Sequence, residues 1–444
     1  MKRQVFKWST ILCLLCVAVF CAYTYNTLFN TASVPTVPEK EEDLPVVTPP
    51  VTTPIEHTSF PKLPFLSPVA RGGFMQSLGG SADDTVLSSR IIGKNVFVVG
   101  YTHSSDYDFT AEKKSVFVAV LSLYGIVERV TLFSGCTYLS SCTTPTGVAL
   151  ALLTPSGFEV VLLNSALERT SLFQKDGTPE HAQLLLSSSS IYCIGSFDSS
   201  LYLISINFST LETLETLVTR DSISVEGFSF IGDKILFISN NSTSFTLYSY
   251  DKNLQKTTEY TPLSQEKCVV QSALPAVFSE GIGFCVSMNR DGLIVCAGLT
   301  LSGKKVFSTA LTRASYSSVI RTNDGDYLVF CSTDRASSCT VLCSHGDILE
   351  QNVLALSGFT PVDFLYKGGE TILLLQSLYE KSGAVVSLDD SFYSTYLYEF
   401  PKTTPSSLLL LSSGEIVLSL TAEENAPSFG ASRGGEECFI LSLS

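Results

Sequence analysis

The sequence predicts an all-β protein whose main domain is an eight-bladed β-propeller. Two observations lead to this prediction. An apolar strand, a turn and a more polar strand recur seven times, about every 45 residues, and an eighth copy is cut off after its apolar strand; this period is the length of a four-stranded propeller blade. Glycine-centred turns follow with a similar period. A seven-bladed ring is the alternative, if the second or third unit is an elaboration of its neighbour.

The two series define the blades, whose strands we name A to D from the axis outward. The first series places these residues at equivalent positions: Leu121, Leu163, Ile206, Tyr250, Leu299, Cys343, Leu388 and Leu443. The second centres on Gly93, Gly147, Gly232, Gly281, Gly325, Gly369 and Gly414. Blade 1 is predicted at about 84–135, and the later blades begin near 136, 181, 222, 267, 314, 359 and 404.

The N-terminal region predicts a membrane anchor. Residues 1–7 carry three basic residues and form a cytoplasmic stub, and the apolar residues 8–25 are just long enough for one transmembrane helix. The basic flank places the bulk of the chain outside the plasma membrane. A cleaved signal peptide is the alternative, although Phe20 is bulky for the position it would occupy before a cleavage site.

Residues 26–70 predict a linker. Their centre, "SVPTVPEKEEDLPVVTPPVTTP", is rich in proline, which fixes φ and removes backbone donors. Such a segment is a semi-rigid spacer. It would hold the domain at 71–444 away from the membrane.

One short apolar strand at 74–78 precedes the first blade and has no hairpin partner. The eighth unit ends after its C strand, so the stray strand is expected to supply the missing D strand and close the ring. The alternative is that residues 74–78 are the end of the linker.

The composition excludes some classes of partner. The chain has a formal net charge of -14 and only 16% charged residues, and nucleic-acid binding needs clustered Lys and Arg. We therefore expect no nucleic-acid partner. The acidic balance favours solubility.

Blade 1 contains a glycine-rich and acidic motif, "LGGSADDTVLSSRIIGKNVFVVGYTHSSDYDF" followed by "KSVFVAVLSLYG". It resembles the repeats of bacterial secreted and cell-surface β-propeller proteins, whose blades run Gly-Gly-Ser-x-Asp-Asp, then a turn like Thr-x-Asp-Gly-Gly-Tyr, then Gly-Tyr-Thr, then an acidic loop. The match is good over residues 78–125, and "RTNDGDYLVF" repeats its turn in a later blade. The resemblance implies a propeller fold and a surface location, and it implies no activity.

Three acidic loops predict a binding surface. In a propeller the B–C and D–A connections emerge on one side, so loops 79–84, 103–114 and 422–437 should converge where blades 8 and 1 meet. The candidate binding residues are Asp83, Asp84, His103, Asp106, Asp108, Glu423, Glu424, Phe429 and Arg433. Phe429 and Arg433 would be anchors for an unknown protein or glycan. A cationic partner or a weakly held calcium ion suits the charge, and solvated loops without a ligand are the alternative.

No catalytic signature is evident, and we expect a binding or scaffolding module without a cofactor. The four histidines are scattered, and nucleophile-elbow, phosphate-loop and dinucleotide motifs are absent from the sequence. "NRDGL" and "TNDGDY" are interpreted as hairpin turns because they lack the spaced carboxylates of a calcium loop. The alternative is an extracellular lyase or hydrolase that uses the axial pocket.

Two cysteine pairs are candidates for disulfides. A hairpin centred between 290 and 291 would place Cys285 opposite Cys296, and one centred on 335 would place Cys331 opposite Cys339. The alternative is that these are buried thiols.

Overall fold

The computed structural model describes residues 73–443, apart from 221–223, 242–243, 263–267, 334–335, 355–357, 390–393, 425, 427–428 and 430–432. The predicted stub at 1–7, anchor at 8–25 and linker at 26–70 lie outside the described residues. Within the part of the chain that is described, no helix is long and apolar enough to cross a membrane.

The described residues form eight antiparallel sheets of four strands each. Blade 1 comprises β2 (Asp84–Ile92), β3 (Asn95–Thr102), β4 (Ser115–Ser122) and β5 (Val127–Ser134). Blade 2 comprises β6 (Thr137–Thr144), β7 (Gly147–Thr154), β8 (Gly157–Asn164) and β9 (Arg169–Lys175). Blade 3 comprises β10 (Pro179–Leu186), β11 (Ser190–Phe197), β12 (Ser200–Asn207) and β13 (Thr213–Arg220). Blade 4 comprises β14 (Ser224–Ile231), β15 (Lys234–Asn240), β16 (Phe245–Tyr250) and β17 (Lys256–Tyr260).

The second half of the ring repeats this arrangement. Blade 5 comprises β18 (Val269–Phe278), β19 (Gly281–Arg290), β20 (Leu293–Thr300) and β21 (Lys305–Arg313). Blade 6 comprises β22 (Tyr316–Arg321), β23 (Tyr327–Ser332), β24 (Ser337–Leu342) and β25 (Ile348–Leu354). Blade 7 comprises β26 (Phe359–Lys367), β27 (Glu370–Ser377), β28 (Ser382–Leu388) and β29 (Ser394–Pro401). Blade 8 comprises β30 (Thr403–Leu410), β31 (Ile416–Ala422), β32 (Glu437–Leu443) and, as its outer strand, β1 (Met75–Leu78).

The eight-bladed prediction is confirmed, and the seven-bladed alternative is wrong. The A strands begin at 84, 137, 179, 224, 269, 316, 359 and 403, within two residues of the predicted blade starts. The predicted blade starts agree with the structure because each strand of a blade is buried to a characteristic degree. The middle strands of a blade are covered on both faces by neighbouring blades, as the burial of β3 and β4 illustrates, so they read as unbroken apolar runs. The outer strand β5 is partly exposed and more polar.

The N-terminal strand closes the ring, as predicted. β1 pairs antiparallel with β32, with Leu78 opposite Cys438 and Met75 opposite Leu441. The Phe74 amide donates to Ser442 Oγ at 2.9 Å, and the Ser442 amide donates to the Phe74 carbonyl at 2.9 Å. Leu78 is fully buried between blades 8 and 1. The alternative, in which these residues belong to the linker, is wrong.

A β-bulge recurs in the A strands, and side chains next to it form hydrogen bonds between neighbouring blades. Seven A strands carry a bulge against their B strand, and β22 does not. The side chain that follows the bulge accepts a backbone hydrogen bond from the next blade in three cases. Ser272 accepts from the Val319 amide at 3.2 Å, and Asp363 accepts from the Leu408 amide at 2.9 Å. Ser407 accepts from the Ser89 amide at 3.0 Å, so the same kind of bond joins blade 8 to blade 1.

The predicted register of the blade 5 hairpin was wrong by one position. Arg290 pairs with Leu293, so the turn centres between Asp291 and Gly292. Both turn residues have positive φ, 50° and 84°, as a two-residue type I′ hairpin requires. Cys285 therefore pairs with Gly298, and Cys296 is its diagonal neighbour.

The predicted opposition in blade 6 was also wrong. The turn joins Ser332 to Ser337, which places Cys331 opposite Ser338. A slip of one residue sends side chains to opposite faces of a sheet. Cys331 accordingly packs between blades 5 and 6, whereas Cys339 packs between blades 6 and 7.

We expect all four of these cysteines to be thiols in the folded protein. Cys285 and Cys296 are fully buried with Sγ atoms 3.5 Å apart, but diagonal neighbours have Cα atoms about 7–8 Å apart, beyond the usual disulfide range. Alkylation of the unfolded protein without reductant, followed by peptide mass spectrometry, should label all four. The same protein reduced before alkylation is the control. A cross-linked peptide that joins Cys285 to Cys296 would contradict the prediction.

Candidate functional site

Three loops meet on one face of the ring where blades 8 and 1 adjoin, and we name them together the closure face. They are the D–A loop 79–83, the B–C loop 103–114 of blade 1 and, of the B–C loop of blade 8, the described residues 423, 424, 426, 429 and 433–436. Backbone bonds join them: the His103 amide donates to the Asp83 carbonyl at 3.1 Å, and the Asp84 amide donates to the Glu436 carbonyl at 2.8 Å. The predicted convergence of the three loops is confirmed.

Arg433 is the side chain that ties the three loops together. Its guanidinium donates to the Gly79 carbonyl at 3.0 Å and to Asp108 Oδ2 at 2.6 Å. It also lies 5.2 Å from the centre of the Tyr107 ring. Arg433 therefore supports the closure of the ring, in addition to any contact that it makes with a partner.

Asp84 lies beneath the closure face, because its side chain is fully buried. Oδ2 accepts hydrogen bonds from the Gly80 amide and from Ser104 Oγ, both at 2.8 Å. Burial raises the pKa of its carboxyl above the usual value. The prediction that Asp84 contributes to a surface patch was wrong, because the side chain folds inward as the first residue of an A strand.

The other acids of blade 1 also accept bonds from the D–A loop. The Gly79 amide donates to Asp108 Oδ2 at 3.1 Å, and the Ser81 amide donates to Asp106 Oδ1 at 2.8 Å. The Ser81 bonds lower the pKa of the Asp106 carboxyl. A Cβ at position 80 would lie 2.4 Å from Ser104 Cβ, so the loop requires glycine there. The backbone amides of the Gly-Gly-Ser motif thus donate hydrogen bonds to the carboxylates of the acidic motifs.

Phe429 is a core residue, and its predicted role as a surface anchor was wrong. It is 7% exposed, and its ring lies 4.8 Å from that of Phe439 between blades 7 and 8. The Phe429 amide donates to the Ala426 carbonyl at 3.1 Å, in a turn that directs the aromatic ring inward. The blade 8 loop therefore contributes to the core, and exchanging it for a short turn would also remove buried apolar surface.

The remaining predicted residues lie at the solvent side. Asp83 is exposed, and its Oδ1 accepts from the Glu436 amide at 3.0 Å. His103 is exposed, with Nδ1 3.2 Å from the Asp83 carbonyl oxygen. Glu424 is exposed and forms no ion pair with a described residue. Glu423 is half-buried and pairs with Lys381 at 3.2 Å.

Sequence reasoning missed Lys381, which brings blade 7 into the site. Its ammonium bridges Glu423 and Glu436 of the blade 8 loop. The signal was a basic residue in the B–C loop 378–381 of the neighbouring blade, which only the ring order connects with these glutamates. Among the described residues, no group of three or more His, Cys, Asp and Glu side chains could hold a metal ion.

The inner strands carry the groups on which an axial active site would depend. Arg90, His181, Glu226 and Asp363 lie on the A strands of blades 1, 3, 4 and 7. Burial raises the pKa of Glu226 to about 7 and lowers that of His181. Among the described residues, no hydrogen bond or ion pair joins any two of the four. Asp363 accepts from backbone amides, and burial raises its pKa although the charge of Arg90 acts in the opposite direction.

Comparison with known proteins identifies the fold. No family model and no curated protein sequence matches the chain. The C-terminal WD40 domain of Sif2 is similar in structure, with a TM-score of 0.51 at 12% identity over 83% of this chain and 98% of that one. The Dos1 propeller is similar with a TM-score of 0.52 at 11% identity, over 82% of this chain and 94% of that one. At these identities the likeness establishes a β-propeller, a fold suited to binding or scaffolding.

Proposed function

We propose that the protein is a membrane-anchored binding module at the outer cell surface, and that the closure face is its binding surface. The observation that carries the proposal is the convergence of three loops, two of them long, that present exposed or half-buried carboxylates. Asp83, Asp106 and Glu424 form no ion pair with a described residue. Loops longer than the fold requires are where propellers carry function.

The location rests on the N-terminal sequence. Residues 1–7 are basic and residues 8–25 are apolar, so a single-pass anchor would leave the propeller outside the plasma membrane. The proline-rich residues 26–70 would act as its stalk. The resemblance of residues 78–125 to bacterial cell-surface propellers supports the same location.

The partner is a protein or a glycan, and no catalysis is part of the proposal. The groups with shifted pKa values on the inner strands lie on separate blades. Asp363 accepts a hydrogen bond from the Leu408 amide and Glu226 accepts one from Ser224 of its own strand, which favours structural roles for these two acids. Binding at the closure face needs no cofactor.

The test is removal of charge from the closure face without loss of its hydrogen bonds. In the triple variant Asp83→Asn, Asp106→Asn and Glu424→Gln, the oxygen that accepts the Ser81 amide can be retained at Asp106, as can the acceptor at Asp83. We expect surface cross-linking on intact cells to yield fewer adducts of the full-length chain than with the parent. An unchanged adduct pattern would contradict the proposal.

The matched control removes three acids from the opposite face. Asp233, Asp324 and Glu415 lie in the A–B turns of blades 4, 6 and 8, and the variant Asp233→Asn, Asp324→Asn and Glu415→Gln changes the net charge by the same amount. Its adduct pattern should match that of the parent. Equal losses in both triple variants would mean that net charge, rather than the closure face, determines the contacts.

A further inference from the structure

Two exposed tyrosines stand on the same side of the ring as the closure face. Tyr107 is at the tip of the blade 1 loop and is 71% exposed, and Tyr379 is in the B–C loop of blade 7 and is 65% exposed. Both loops are B–C connections, so the rings lie on one face, on either side of blade 8. Large aromatic side chains dominate the energetics of binding surfaces, which makes these two exposed rings a feature to explain.

Tyr107 is held in an unfavourable backbone conformation by a well-anchored loop. Its φ is 53°, a region that bulky residues rarely adopt. Two residues later, Phe109 is 1% exposed and its ring lies 4.7 Å from that of Phe117. The Ala111 amide donates to the Ser104 carbonyl at 3.1 Å. The anchored loop fixes the backbone. The Arg433 guanidinium lies over the Tyr107 ring, 5.2 Å from its centre, and the 71% exposure of the side chain leaves ring surface open for a second contact.

Tyr379 lies on a glycine that makes room for its ring. Gly358 has φ of 70°, and a Cβ there would lie 2.4 Å from the Tyr379 ring. The Leu378 amide donates to the Gly358 carbonyl at 2.7 Å, which fixes the loop beside it. One side of the ring is therefore supported by backbone, and much of the remaining ring surface is open to solvent.

The charge between the two tyrosines is negative. Lys381 and Arg433 are committed to ion pairs with Glu423, Glu436 and Asp108. Asp83, Asp106 and Glu424 form no such pair with a described residue. A guanidinium or ammonium group gains from both features, because it stacks on an aromatic face and pairs with a carboxylate.

We propose, on the basis of the proposed function, that the closure face together with Tyr107 and Tyr379 binds a basic segment of a partner polypeptide. The tyrosine rings take Arg or Lys side chains of the segment, and the three carboxylates pair with others. Charge complementarity favours this partner over a neutral glycan or an acidic protein.

The test uses the full-length chain in mild detergent and three peptides of equal length. They consist of repeated Gly-Arg-Ser, repeated Gly-Gln-Ser and repeated Gly-Glu-Ser. Calorimetric titration should detect binding of the arginine peptide alone, and the affinity should fall as NaCl rises from about 0.05 M to about 0.5 M. Binding of the glutamine peptide with equal affinity would overturn the assignment of a basic partner.

The double variant Tyr107→Ala and Tyr379→Ala should weaken binding of the arginine peptide on the order of tenfold. Tyr124→Ala is the matched control, because Tyr124 is 81% exposed in a C–D turn on the opposite face. If the double variant binds like the parent, the tyrosines have no role in binding and the proposal fails.

The outcomes separate this inference from the proposed function. If the arginine peptide fails to bind while the charge-removal variant still loses surface adducts, the closure face is a binding surface for a partner of another chemistry. If both triple-charge variants lose binding of the peptide to the same extent, the attraction is a property of net charge, and the basic segment has no defined site. Circular dichroism of each variant should match the parent, because the substituted side chains are exposed or keep their hydrogen bonds.

Discussion

Deleting residues 71–78 should lower the melting temperature of the full-length chain by about 10 °C or more, or cause aggregation. The deletion removes β1, which leaves β32 as an open edge with unpaired backbone groups. It also removes Leu78, which is fully buried between blades 8 and 1. Differential scanning calorimetry and light scattering would measure the two effects.

A deletion of equal length in the linker, residues 41–48, is the control and should leave the melting temperature unchanged. Because the closing-strand deletion can prevent folding, Leu78→Ala supplies a milder measurement. That substitution leaves the backbone pairing of β1 in place and should cost about 2–5 kcal/mol, the usual range for a buried leucine. Parent-like melting of both the deletion and Leu78→Ala would show that β1 adds nothing to the closed ring.

Replacing Glu226 with glutamine should stabilise the protein above neutral pH and have no such effect near pH 4. Burial on the A strand of blade 4 raises the pKa of this carboxyl to about 7 from an ordinary value of 4.5. The protonated form is therefore favoured in the folded state. The stability associated with it is fully present below pH 4.5 and is lost as the pH rises through about 7.

Glutamine mimics the protonated carboxyl and removes that loss. We expect the variant to gain about 1–3 kcal/mol over the parent at pH 8, a range that allows for the partial exposure of Glu226. Urea unfolding at a series of pH values would give the difference. Glu128→Gln, an exposed position on the outer strand of blade 1, is the control and should show no comparable trend. A pH-independent difference for Glu226→Gln would contradict the assignment.

The blade count and boundaries could be predicted because the same order of buried and partly exposed strands repeats along the chain. Each blade buries its two middle strands between its neighbours and leaves its outer strand partly exposed. Every unit of the sequence therefore contains an apolar run followed by a more polar strand. The stray strand at 74–78 was informative for the same reason, since a closed ring needs eight outer strands. The positions of the long loops followed from topology alone.

The hairpin registers and the candidate site were less predictable. The Asp-Gly turn at 291–292 shifted the cysteine register because positive φ at two adjacent residues selects the centre of the hairpin. The sequence predicts surface positions for Asp84 and Phe429, because acidic and irregular loops are usually solvated. Their burial depends on how blades 8, 1 and 7 pack, which local composition does not reveal.

The sequence by itself determined the fold class, the period of the ring, the closing strand and the face on which the long loops emerge. These features arise from local patterning and from the chain order of the blades. Only the tertiary structure decided which acids are buried and which lie at the surface without an ion pair to a described residue, and it brought Lys381 and Tyr379 of blade 7 beside loops that are far away in sequence. The physical reason is that a side chain's partners are set by the closed ring, where the first and last blades meet, and not by its neighbours along the chain.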